Sequence, residues 1–150
     1  MSPLAVGEVA PPIPAVDFSD GPFGLFFYKV TCPTCQLSAP KMRAFEEAYP
    51  GRVIGIGQDA ETSLARFSKD YDMGIGSVED APPYRVSDAY AILSVPTLNL
   101  VGADGRILES VGAWDRGGFN GVSERLAELT SSPAALISVP GDGLPDFKPG

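Results

Sequence analysis

The run Phe23-Gly24-Leu25-Phe26-Phe27-Tyr28 passes, after three residues, into Cys32-Pro33-Thr34-Cys35. From Phe23 to Val30 the run is interrupted by a charge only at Lys29, and a short apolar stretch of this kind is a strand covered on both faces. Pro33 marks a helix start, because the N–H that proline lacks has no intrahelical partner in the first turn. A strand followed by C-x-x-C at a helix start is where thiol–disulfide chemistry is most often built. The chain holds no other cysteine. One such pair closes too short a loop to staple a fold, so it serves reactivity or a metal.

The elements downstream alternate. Leu37, Met42, Ala44, Phe45 and Ala48 carry apolar groups at helical spacing up to Pro50-Gly51. Arg52 to Gly57 is short and β-branched, a second central strand. Glu61 to Tyr71 aligns Leu64, Phe67 and Tyr71 on one helical face. Residues 72 to 83 loosen around Gly74, Gly76, Pro82 and Pro83 and read as a loop. Ser87 to Ile92 reads as a brief helix with Ser87 as its cap. Thr97 to Val101 and Arg106 to Val111 flank Asp104-Gly105, a hairpin turn. Phe119 to Leu129 closes the series with Val122, Leu126 and Leu129 on one face, and Trp114 and Phe119 read as packing residues. Three segments follow: an extended N-terminal stretch over 1–22 with at most an edge strand at Ile13 to Phe18, a folded domain over 23–131, and a Pro/Gly-rich tail over 132–150 that lies across the surface or is disordered.

With 150 residues and 44% hydrophobic content, the chain suffices for one domain with a core. Its net charge of −8 and lack of a basic run argue against nucleic acid and anionic membranes as partners. No uncharged apolar stretch approaches the roughly 18 residues that a membrane helix needs, and Met1 to Glu8 lack the pattern of a secretory leader. The expectation is a cytoplasmic protein, or a periplasmic one if a leader has been removed.

The order βαβα, hairpin, α resembles the thioredoxin superfamily, and more narrowly its redoxin branch of bacterial thiol-disulfide oxidoreductases and peroxiredoxins. The resemblance spans roughly residues 5 to 130. It rests on Cys32-Pro33-Thr34-Cys35, on Pro40, on Val53-Ile54-Gly55-Ile56-Gly57-Gln58-Asp59, on Ser94-Val95-Pro96-Thr97 and on Asp104-Gly105-Arg106-Ile107. It implies a three-layer α/β/α sandwich with a mixed central sheet and a helix kinked at Pro40. It also implies a cis bond before Pro96, with Thr31, Pro33, Thr34, Val95 and Pro96 receiving substrate beside the cysteines. Cys32, at the positive end of a helix, is the expected nucleophile, and Cys35, one turn in, the expected resolving thiol. The implied partners are a disulfide-bearing protein or a small thiol, with a thioredoxin reductase or another dithiol as electron donor; neither metal nor bound cofactor is expected.

The departures bear on mechanism. Where many thioredoxins place Trp before the first cysteine and a buried Asp six residues before it, this chain has Thr31 and Phe26; Ser38 stands where cytochrome-maturation relatives carry Glu. The chain has no histidine. Proton transfer from Cys35 then falls to water or to a carboxylate, with Asp59 and Glu79 as candidates, although these and Asp80 also read as solvated loop charges. Lys29 is a candidate source of positive potential at Cys32. Peroxiredoxins place Thr or Ser three residues before their peroxide-reacting cysteine and Pro seven before it; here Lys29 and Leu25 stand at those positions. A thiol peroxidase and a non-catalytic binding or metal-chaperone module are the alternative readings.

Overall fold

A computed structural model describes residues 4–150. The apolar run forms β1 (Phe23–Tyr28), which stands at the centre of a five-stranded sheet. On one side it pairs in parallel with β2 (Val53–Gly57), which in turn pairs in parallel with β3 (Ser77–Glu79). On the other it pairs antiparallel with β4 (Thr97–Val101), and β4 pairs antiparallel with β5 (Ile107–Gly112). The sheet is therefore mixed, in the order β3-β2-β1-β4-β5.

Alternation along β1 divides the core. Phe26 and Tyr28 face one side, where they pack with Met42 and Phe45 of α1 (Pro33–Ala48), Leu64 and Phe67 of α2 (Glu61–Asp70), and Phe119, Val122 and Leu126 of α4 (Arg116–Thr130). Leu25 and Phe27 face the other, against Val86 of α3 (Arg85–Ala89), Tyr90, and Ala10 and Ile13 of the N-terminal segment. Helices and sheet make the expected three layers. Within α1 the buried positions Cys35, Ser38, Ala39, Met42 and Phe45 recur at the three-to-four spacing of one helical face, and the helix continues through Pro40.

Several expectations need correction. No strand forms at Ile13 to Phe18; instead Asp17 accepts from the Ser19 N–H and caps a 3-10 turn at Phe18–Asp20. The stretch read as a loop contains the edge strand β3, whose two outer residues are exposed and so leave no hydrophobic signature. Ser87 does not cap α3; that helix begins two residues earlier, its amide groups at Val86 and Ser87 held by the carboxylate of Asp80. Asp80 is thus buried rather than solvated. The last helix begins at Arg116 rather than Phe119, because Asp115 accepts from the Gly118 N–H and caps a turn whose two glycines disguise it in the sequence. Finally, β6 (Trp114–Asp115) pairs antiparallel with β7 (Phe147–Lys148), in the tail.

Candidate active site

The site begins where β1 runs out. Lys29, Val30 and Thr31 carry the chain from the sheet to the first turn of α1, and Cys32 is the residue that caps that helix. Its sulfur accepts the Cys35 backbone N–H at 3.1 Å. This is what an N-cap oxygen ordinarily does, and it places negative charge against free amide groups and the positive end of the helix dipole. The Cys32 thiol is pulled down to about 6, chiefly by the hydrogen bond from the Cys35 side chain, with backbone N–H groups of Cys35 and Thr34 and the Lys148 ammonium contributing.

Cys35 lies one turn deeper and is fully buried. Burial, followed by its hydrogen bond to Cys32, pushes the Cys35 thiol well above its ordinary value. The two sulfurs are chemically different for one reason: Cys32 caps the helix at the surface, whereas Cys35 is enclosed by the sheet and helices of the core. Both thiols are free.

The second half of the site is the loop before β4. The Val95–Pro96 peptide bond is cis, and the Val95 carbonyl lies 3.6 Å from the Cys32 sulfur. Of the site residues expected from sequence, Thr31 and Pro33 are exposed on either side of Cys32, Val95 is half-buried and Pro96 is buried. Thr34 is nearly enclosed, at 2% exposure, and its hydroxyl donates to the Pro149 carbonyl at 2.7 Å. The structure thus brings all seven expected residues into one place.

The expected electrostatic helpers are engaged elsewhere. Lys29 sits 3.8 Å from Asp59 and over the ring of Tyr84, with its ammonium 5.4 Å from the ring centroid. The Lys148 ammonium, from the tail, adds only the smallest of the favourable effects at Cys32. Asp59 accepts from the Val30 N–H, and Glu79 accepts from the Glu61 N–H at the start of α2. Ser38 donates to the carbonyls of Thr34 and Cys35 inside α1. Each of these side chains thus has a structural partner of its own. Among the described residues, no group of three or more Cys, Asp or Glu side chains gathers to hold a metal ion, and no helix is long and apolar enough to cross a membrane.

Two residues in this region escaped the sequence reading. Lys148 lies 116 positions from Cys32 in a segment whose composition predicts nothing. Arg116 is buried at 8% exposure; its guanidinium donates to Ser138, Asp142, Asp146 and the Leu144 carbonyl and so fixes the tail beside the site. Neither residue has a local sequence signal.

The AhpC/TSA family matches residues 11–110. Among solved structures, the thioredoxin domain of a thiol-disulfide oxidoreductase from Bacteroides vulgatus is 20% identical, with a TM-score of 0.70 over 82% of this chain and 99% of that one. A thiol-disulfide oxidoreductase from Bacteroides fragilis is 19% identical, with a TM-score of 0.67 over 79% of this chain and 99% of the other. A secreted Mycobacterium tuberculosis disulfide oxidoreductase homologous to DsbE of E. coli is 25% identical, with a TM-score of 0.58 over 72% of this chain and 81% of that one. No curated protein matches the chain.

Proposed function

Because the chain belongs to the AhpC/TSA family and carries a C-x-x-C pair at the head of a helix in a thioredoxin-like fold, we propose that it is a dithiol-disulfide oxidoreductase with Cys32 as nucleophile and Cys35 as resolving thiol. The observation that carries this reading is the asymmetry of the pair: one sulfur part-exposed at the cap of α1 and accepting a backbone N–H, the other fully enclosed one turn deeper. The Cys32 thiolate attacks one sulfur of a partner disulfide. The partner's S–S bond breaks, and its departing thiolate takes a proton from water. Once Cys32 is in the mixed disulfide its negative charge is gone, and Cys35 loses its proton more easily. Cys35 then attacks Cys32, releases the second partner thiol and closes the Cys32–Cys35 disulfide. The partner gains two electrons and the protein loses two, which a separate dithiol donor restores. The reverse sequence oxidises a dithiol.

The partner is a disulfide-bearing protein or a small thiol compound, and the groove beside Val95 suits an extended chain whose backbone pairs with that residue. The similar Mycobacterium tuberculosis protein is secreted; a thiol-disulfide enzyme works in either a reducing cytosol or an oxidising exterior, according to its potential. Replacing Cys35 with Ser should stop the cycle after its first half and accumulate a mixed disulfide at Cys32, detectable as an adduct by mass. Normal turnover by that variant would remove the resolving role from Cys35.

Family membership also raises peroxide as an oxidant. The sequence positions that peroxiredoxins use to polarise peroxide hold Leu25, which is buried in the core, and Lys29, which is paired with Asp59. Disulfide exchange is therefore favoured. Rapid consumption of hydrogen peroxide with a dithiol donor, together with a Cys32 sulfenic acid, would reverse that preference.

A further inference from the structure

The tail takes an unexpected course. After α4 it returns along the molecule, with Ile137 and Ser138 buried and their backbone groups bonded to the side chain of Asn120. Asp142 is gripped from two helices, by Arg116 of α4 at 3.3 Å and by Lys41 of α1 at 2.8 Å; the bond from Lys41, then that from Ser138, hold its carboxyl below the usual carboxylate range. Up to Leu144 the tail belongs to the body of the protein.

From Pro145 onward its character changes. Every residue from 145 to 150 is exposed. What holds this stretch is the bond from the Trp114 indole to the Pro145 carbonyl at 2.7 Å, the Arg116–Asp146 pair, and the two-residue ladder of β7 on β6. It reaches into the candidate active site. The Pro149 carbonyl accepts from Thr34, between the two cysteines. Gly150 is pressed so closely on the Val95 carbonyl that a Cβ at that position would lie 1.9 Å from the oxygen. That carbonyl is the one 3.6 Å from the Cys32 sulfur. The tail thus spans both halves of the site, the C-x-x-C turn and the loop before β4, using main chain alone.

We infer that residues 145–150 are a resident strap that lies in the groove as an extended polypeptide substrate would, so that a protein disulfide gains access to Cys32 only by displacing the strap, while a small disulfide enters beside it. This rests on the thiol-disulfide reading of the site. The physical argument is competition for the same groups. A substrate backbone that pairs with Val95 must occupy the space of Gly150, and one that crosses the C-x-x-C turn must take over the Thr34 hydroxyl from Pro149. The strap is built to leave. It buries little apolar surface, Phe147 being 56% exposed. The groove selects backbone with little or no side chain at the residue against Val95, so the preferred partner is a flexible segment with glycine there.

The test uses the full chain and two variants that leave the partners of Arg116 in place. Lys148→Pro puts a residue without an N–H into the β6–β7 ladder. Gly150→Leu places a side chain where the Val95 carbonyl stands and keeps the Lys148 side chain itself. Each is assayed on insulin, as a protein disulfide, and on a small aromatic disulfide, with a dithiol as reductant. If the strap is closed about nine-tenths of the time, opening it raises the rate on insulin by about tenfold, whereas the rate on the small disulfide changes far less, only as the Lys148 charge leaves Cys32. An unchanged insulin rate in both variants, with the small disulfide still reduced, overturns the strap and leaves the redox reading standing. A slower insulin rate also overturns it, because the tail would then be part of the substrate platform. No reaction of the parent chain with either probe overturns the redox reading and the strap with it.

Discussion

The β1–α1 junction and the tail after α4 meet at the same sulfur, yet they are held in place by opposite means. At the junction the chain is fixed by burial. Leu25 to Tyr28, Cys35, Met42 and Phe45 are wholly enclosed, and the backbone is satisfied by strand and helix bonds. In the tail, Pro133, Pro140, Pro145, Pro149 and three glycines leave room for only the two-residue strand β7. Its order comes instead from polar anchors, chiefly one buried guanidinium that meets Ser138, Asp142, Leu144 and Asp146. An irregular segment can therefore be placed as definitely as a helix when a desolvated charge requires its partners.

The comparison can be broken from either side. Phe45→Ala removes a fully buried ring from α1 and should cost about 4 kcal/mol of global stability. Denaturant unfolding followed by far-ultraviolet dichroism checks this, and a loss below about 1 kcal/mol would mean that the helix does not depend on that face. Arg116→Leu should cost somewhat less, about 2 kcal/mol, because it removes the buried guanidinium's bonds to Ser138, Asp142 and the Leu144 carbonyl while Asp142 keeps Lys41. Its diagnostic is location: amide exchange should accelerate first across residues 137–148, and uniform acceleration throughout the sheet would contradict the division drawn here.

The smallest effect concerns the sulfur itself. Alkylation of Cys32 should fall as the pH drops below about 6, where the thiolate takes up a proton, and level off above it. Removing the Lys148 charge with Lys148→Gln takes away one stabiliser of the thiolate, so the midpoint should move upward. A downward shift would show that the tail opposes the thiolate instead of supporting it.

Much of this protein was legible without coordinates. The run Phe23 to Tyr28 is apolar on both faces because it stands mid-sheet, so its sequence could hardly describe anything else. Cys32-Pro33-Thr34-Cys35 announced itself because proline at a helix start and cysteine at its cap are local signals. The hairpin of β4 and β5 was equally visible, since Asp104-Gly105 supplies the turn and Gly105 adopts a φ of +77. Local rules failed where partners are distant or exposed. Edge strand β3 has no buried alternation to betray it, and α4 hides its first turn in Arg116-Gly117-Gly118 behind a cap that only the geometry of Asp115 reveals.

The sequence by itself therefore determined the layered α/β fold, the central strand, and the two cysteines with their order along a helix, because each is written in residues within one or two turns of one another. Tertiary structure alone decided which charges matter. It paired Lys29 with Asp59 and buried Asp80 as a helix cap. It also carried Lys148 and Pro149 across the molecule to Cys32 and Thr34. Coulombic and hydrogen-bond energies depend on distance in space, and for residues more than a hundred positions apart that distance exists only once the core has formed.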